Sequence, residues 1–250
     1  RMYAETDDLI EWTPAEKSLT PDWMDNPESQ LDSPGIHYYG MVAYPFGNQY
    51  VGLLEILDDL TDCMHFRLIS SRDLKTWNQM SAPEPFIDHG KAGDWNSGMQ
   101  MMANSPPVLF DHKMWFYYDG SNFDHSGPFG GDRSGKEKSL GVSTLPENRF
   151  VSLSVENKTQ EATLTTVPLR LAGKALHLNA NAKGGKLLIE LLDRDGKVLP
   201  GYSCRECQPL VDQDRLDFSV NFREQRSLPE LPVRVRVHLK GSELSAMWVK

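Results

Sequence analysis

Asp8-Leu9-x-x-Trp12 recurs as Asp73-Leu74-x-x-Trp77, 65 positions further along a chain of 250 residues. Three other pairs stand 64 apart: Phe46 with Phe110, Glu55 with Asp119, and Asp32-Ser33 with Asn96-Ser97. Four coincidences at nearly one offset constrain the fold more than any other property, because they demand a unit of about 65 residues built twice. Gly, Pro, Asn and Asp divide each copy into short β-rich runs, as the four-stranded blades of a propeller require.

The first copy predicts strands near Tyr38–Tyr44, Gln49–Leu57 and His65–Ser71. The second predicts strands near Met99–Asn104, Val108–Phe110, Met114–Asp119 and Ser139–Thr144, with Phe150-Val-Ser-Leu153 as its closing strand. The Gly, Asp and Ser stretch from Ser121 to Lys138 buries little and reads as a long surface loop. Helical periodicity is essentially absent.

The texture changes after about Val155. Val233-Arg-Val-Arg-Val-His-Leu239 alternates with period two, placing Val233, Val235, Val237 and Leu239 on a core and Arg234 and Arg236 in solvent. Leu176–Ala180 alternates as well, and Lys186–Leu192 is an apolar run that turns at Asp195-Gly196. These runs suggest an antiparallel β-sandwich. The expected organisation is all-β, with propeller blades over residues 1–155 and a sandwich over residues 156–250. Two blades cannot close a propeller, and Arg1–Trp12 reads as the end of a repeat, so further blades are expected ahead of this sequence.

A net charge of −9 without a basic stripe argues against nucleic acid as a partner. No segment has the apolar length to span a bilayer as a helix, and Arg1–Trp12 lacks a signal-peptide pattern. Cys204 and Cys207 have C-x-x-C spacing, but no second ligand pair is placed for a zinc site. Strand or turn residues, or a local disulfide, are the readings left open. Walker, dinucleotide-binding, EF-hand and nucleophile-elbow patterns are absent, so no cofactor is expected. A structural calcium ion is compatible with the composition but no pattern indicates one.

Ser71-Arg-Asp-Leu-Lys-Thr-Trp77 resembles the S-x-D-[LG]-x-x-W element at the blade ends of five-bladed propeller glycoside hydrolases of families 32 and 43. Gly93-Asp-Trp-Asn-Ser-Gly98, Ser105-Pro-Pro-Val108, Tyr117-Tyr-Asp-Gly120 and Phe150-Val-Ser-Leu153 are similar to successive elements of uncharacterised bacterial relatives in that superfamily. So are Leu176-His-Leu-Asn179, Gly201-Tyr-Ser203 and Cys207-Gln-Pro-Leu210 in the sandwich portion. Asn96 stands where those proteins carry Asp. Trp23-Met-Asp-Asn-Pro27 resembles the family 32 nucleophile motif with its Asp and Asn exchanged. The resemblance implies a periplasmic or secreted glycosidase that takes a poly- or oligosaccharide.

Glycoside hydrolysis needs two carboxyl groups, one to protonate the leaving oxygen and one to attack or to activate water. The catalytic candidates are Glu55, Asp94 and Asp32, carboxylates at or before apolar strands. Turn chemistry explains Asp94 and Asp32 equally well, and an ion pair with Arg67 or Arg72 would explain Glu55. Asp119, His125, Trp95 and Tyr118 are the candidates for holding sugar. The hydroxyl-bonding groups are Asp119 and His125, and Trp95 and Tyr118 offer rings that either stack on a pyranose or pack a blade. A glycan-binding propeller without catalysis is the alternative, and Asn96 keeps it open. Oligomeric state is not legible.

Overall fold

A computed structural model of the chain describes residues 1–21, 25, 35–80, 84–103, 105–127, 134–173, 175–225 and 227–250. The described residues form β-strands, turns and loops, with no α-helix among them. Among the described residues no helix is long and apolar enough to cross a membrane. The chain divides into two compact units, Arg1–Thr144 and Leu145–Lys250.

In the first unit, β1 (Met2–Tyr3) pairs with β2 (Glu16–Lys17). The strands β3 (Ile36–Phe46), β4 (Gln49–Asp58), β5 (Cys63–Ser71) and β6 (Trp77–Gln79) form an antiparallel meander. They are followed by β7 (Met99–Met102), β8 (Val108–Phe110), β9 (Lys113–Ser121) and β10 (Lys138–Pro146), with β7 and β8 both antiparallel to β9. The strand order is β10-β9-β7-β5-β4-β3. The two meanders join through one parallel pair, Met64 with Met99.

The sequence repeat is a structural one. The strands β4 and β9 begin 64 residues apart, and the two-residue hairpin turns before them, Gly47-Asn48 and Asp111-His112, keep the same offset. The motifs at Asp8 and Asp73 fold into one and the same turn. Leu9 and Leu74 both have φ of 63°. The Thr6 and Ser71 hydroxyls accept from the N–H groups of Leu9 and Leu74, each at 2.9 Å. Asp8 Oδ1 accepts from Ile10 and Glu11, and Asp73 Oδ1 from Lys75 and Thr76. These bonds hold the Asp73 carboxyl down at about 2, and that of Asp8 below its usual value.

Both faces of the first meander are covered. Leu54 and Ile56 pack with Ile36, Ile69 and Trp77, while Leu57 on the opposite face packs with Met64 and Met99. Phe66 meets Tyr118 of β9 edge-on at 6.4 Å between centroids. Alternation along β9 buries Met114, Phe116 and Tyr118 and turns Tyr117 outward. On that outward face Val108, Phe110, Tyr117, Leu140 and Val142 are exposed.

The second unit contains two four-stranded sheets. One has the order β11 (Leu153–Ser154), β18 (Glu243–Val249), β13 (Leu176–Asn181), β16 (Asp214–Ser219). The other runs β12 (Glu161–Thr165), β17 (Arg234–Lys240), β14 (Lys186–Leu192), β15 (Leu210–Val211). Leu176, Leu178 and Ala180 of the first sheet share a core with Leu187, Ile189, Leu191, Val235, Val237 and Leu239 of the second, as in a sandwich. The stretch Phe150–Leu153 does not close the second repeat. Its end enters β11, where Leu153 pairs with Leu244. A bulge at Asn179 buries that amide, whose Oδ1 accepts from Arg149 Nε and whose Nδ2 donates to the Glu147 carbonyl, both at 2.7 Å.

Candidate active site

The site forms where β3 departs from regular pairing. Tyr38 pairs with Ile56 and Met41 with Leu54, so two residues, Tyr39 and Gly40, stand against the single residue Glu55. Such a bulge bends the strand and re-aims its side chains. At Gly40 it opens room for a carboxylate, because a Cβ there would overlap Glu55 Oε2. Glu55 Oε1 accepts the Met102 N–H of β7 at 3.0 Å.

Burial pushes the Glu55 carboxyl above its ordinary value. The Met102 N–H and the Arg1 guanidinium oppose the shift, and the charge on Asp119 adds to it. Arg1 Nε and Nη2 are buried and without hydrogen-bond partners among the described residues. Neither Arg67 nor Arg72 forms the ion pair that would give Glu55 a purely structural role. Arg67 lies on the other face of the sheet and binds Asp25 Oδ1 at 2.6 Å, both side chains being fully buried. Tyr38 Oη and Gln79 Nε2 also donate to Asp25, so the Asp of the Trp23–Pro27 motif is the acceptor of a buried network.

Asp119 pairs across the sheet with Met101, next to the residue that holds Glu55, and its carboxylate meets Lys138 Nζ at 3.2 Å. His125 Nε2 lies 3.1 Å from Tyr39 Oη, with the rings edge-on at 5.2 Å. The loop carrying His125 is tied to the first repeat: its backbone N–H donates to the Asp62 carbonyl at 2.8 Å, and Ser126 N–H donates to Asp62 Oδ2 at 2.7 Å. One bulge thus seats Glu55 through Gly40 and contacts His125 through Tyr39.

Trp95 stacks on Tyr118 at 5.8 Å with 26° between planes. A Cβ on Gly120 or Gly141 would strike its ring, so these glycines let the indole lie flat on the sheet. Asn96 Nδ2 donates to Tyr118 Oη at 3.3 Å. Asp94 is exposed, and its Oδ2 accepts the Lys91 N–H at 2.8 Å in a tight turn. Asp32 lies outside the described residues. The structure therefore places Glu55 and His125 at the β3 bulge, through Gly40 and Tyr39, with Asp119 on β9 acting on Glu55 by its charge, and Trp95 with Tyr118 against β9 and β10. Sequence reasoning passed over Arg1, Asp62 and Lys138. The signal for the bulge was Gly40 inside an otherwise apolar strand, since glycine there marks a bulge or a close approach.

By fold this is an all-β protein of two units, whose sheets are antiparallel except for the β5–β7 pair. No protein-family model matches the chain, and no curated protein sequence matches it. Among solved structures it is similar to an N-acetylgalactosamine deacetylase from F. plautii, with a TM-score of 0.41 and 14% identity over 58% of this chain and 41% of that one. It is also similar to a sucrose-6-phosphate hydrolase from Lactobacillus gasseri, with a TM-score of 0.32 and 14% identity over 96% of this chain and 71% of that one. A Bombyx mori GH32 beta-fructofuranosidase gives a TM-score of 0.33 and 9% identity over 99% of this chain and 72% of that one. The chain spans less than half the length of the deacetylase, and at these scores function has to be argued from the residues themselves.

Proposed function

We propose that this chain supplies two blades of a five-bladed propeller glycoside hydrolase acting on a poly- or oligosaccharide, followed by a sandwich domain, with Glu55 as general acid. The Glu55 carboxyl carries the reading. It is half-buried on a strand, fixed by one backbone N–H, raised above its ordinary value by desolvation and set where the charge of a second carboxylate, Asp119, acts on it. A general acid must hold its proton near the working pH, and burial is the means of keeping it there. Asp119 and His125 orient this acid or hold sugar hydroxyls, and Asp94 and Asp32 are the remaining carboxylates of the expected site. Carboxylate chemistry of this kind needs no cofactor.

The packing of the repeats supports the propeller reading. The face of the first repeat that carries Phe66 is covered by the second repeat. The corresponding face of the second, with Val108, Phe110, Tyr117, Leu140 and Val142, is exposed as it would be before a further blade stacks on it. A secreted or periplasmic protein is the setting this reading assigns.

The test is release of reducing ends from a panel of oligosaccharides by the wild type and by Glu55→Gln. Loss of about 10²–10⁴-fold in the variant is expected, and an unchanged rate on a confirmed substrate sinks the assignment. A glycan-binding protein without catalysis is the second reading, favoured by the Lys138 ion pair that neutralises Asp119 and by Asn96. Calorimetric glycan affinity without product release would select it.

A further inference from the structure

Well away in sequence from the residues above, the second unit gathers three metal-ligating side chains on the outer face of one sheet. Glu190 on β14 and His238 on β17 sit on adjacent strands, with Leu188 directly opposite His238 and Glu190 two positions on, hence on the same face. Cys204 comes from the loop between β14 and β15. Tyr202 anchors that loop, its carbonyl accepting the Leu191 N–H and its hydroxyl donating to the Ser227 carbonyl at 2.7 Å. The Cys204 N–H in turn donates to Glu190 Oε1 at 3.2 Å. One ligand atom from each of Glu190, Cys204 and His238 lies within 4.8 Å of the other two.

We propose that Glu190, Cys204 and His238 form a zinc-binding site that clamps the Cys204 loop onto the β14–β17 sheet. The donor set is a thiol, an imidazole and a carboxyl, which suits zinc and not the hard all-oxygen preference of calcium or magnesium. Zinc bonds of 2.0–2.3 Å place tetrahedral ligands about 3.5 Å apart. His238 Nε2 already stands 3.2 Å from Glu190 Oε2, and the Cys204 sulfur lies within 4.8 Å of its two partners.

The other nitrogen of the imidazole strengthens the assignment. His238 Nδ1 lies 3.4 Å from Glu161 Oε1 on β12. A carboxylate holding Nδ1–H leaves the Nε2 lone pair for the metal, the arrangement that orients histidine ligands at zinc. Arg236 Nη1, 3.4 Å from Glu190 Oε2, is the cation the metal must share that carboxylate with. On binding, the Cys204 thiol proton leaves to solvent and His238 binds as the neutral imidazole.

Of the readings left open for the C-x-x-C pair, the local disulfide is not formed. Cys207 is buried with its sulfur 3.4 Å from the Ile189 N–H, and all three cysteines are free thiols. The ligands to Cys204 lie on two strands that only the fold brings to it.

The test titrates Co²⁺ and then Zn²⁺ into chelator-stripped full chain. One equivalent of Co²⁺ should bring up a near-ultraviolet thiolate charge-transfer band that Zn²⁺ abolishes, and Zn²⁺ should raise the unfolding midpoint. Cys204→Ser should lose the band, and Glu161→Gln should weaken binding by roughly 10–100-fold. Should Cys204→Ser fail to fold by circular dichroism, His238→Gln and Glu161→Gln decide the matter through their affinities. Absence of the thiolate band in the wild type overturns the proposal, as does Zn²⁺ binding undiminished in the folded variants.

Discussion

A Cβ on Gly40 would overlap Glu55 Oε2, while Glu55 Oε1 is held by the Met102 N–H. Gly40→Ala should therefore destabilise the protein by about 1–3 kcal/mol, the usual cost of overpacking. In a Glu55→Ala background the same substitution should cost almost nothing. Urea unfolding of the two single variants and the double variant measures that coupling, and additive costs would place Glu55 elsewhere. A second consequence follows from the raised Glu55 carboxyl. The native state keeps this proton to higher pH than the unfolded chain does, so it binds more protons above the ordinary value of 4.5. Stability should fall as pH rises from there through the folded pKa, and Glu55→Gln should flatten that decline. Denaturant midpoints across mildly acidic to neutral pH check the sign.

At the scale of elements, the repeated turn permits a paired comparison. Leu9 and Leu74 share φ of 63°, a conformation that costs an L-residue roughly 1–2 kcal/mol and a glycine little. Leu9 is 78% exposed, whereas Leu74 packs against the core around Ile36, Leu54 and Trp77. Leu9→Gly should be neutral or stabilising by up to about 1 kcal/mol, and Leu74→Gly should destabilise, because the lost packing outweighs the relief. Thermal midpoints of the two variants test the contrast.

The same turn shows why the strands were legible. The Thr6 and Ser71 hydroxyls and the Asp8 and Asp73 carboxylates that make it bond only to neighbours in sequence, so the pattern carries its own structure. Period two at Val233–Leu239 is local in the same sense, and β17 follows it. What stayed hidden depends on contacts between distant residues. Asp25 with Arg67 and Glu55 with Met102 are 42 and 47 positions apart, and no local pattern marks either pair. Asp94, by contrast, sat in a turn that its own neighbourhood explains.

At the scale of the first unit as a whole, two meanders fold on a shared pattern and join in one sheet through a single strand pairing, Met64 with Met99. In a repeat architecture the interface between neighbours carries much of the stability, and here it is made largely of side chains. Leu57, Met64 and Met99 form its buried cluster, with Met101 and Phe123 packed against them. Thioethers are soft, adaptable fillers, but they are also the side chains that peroxide converts to polar sulfoxides. Met64 is 0% exposed and Met99 8% exposed, so oxidant reaches them only when the two meanders part. Peptide mass spectrometry after timed peroxide exposure should find exposed Met2 and Met80 oxidised first, with Met64 and Met99 following together at a rate that reports how often the seam breathes. A chain built this way records its own oxidative history at the junction of its repeats.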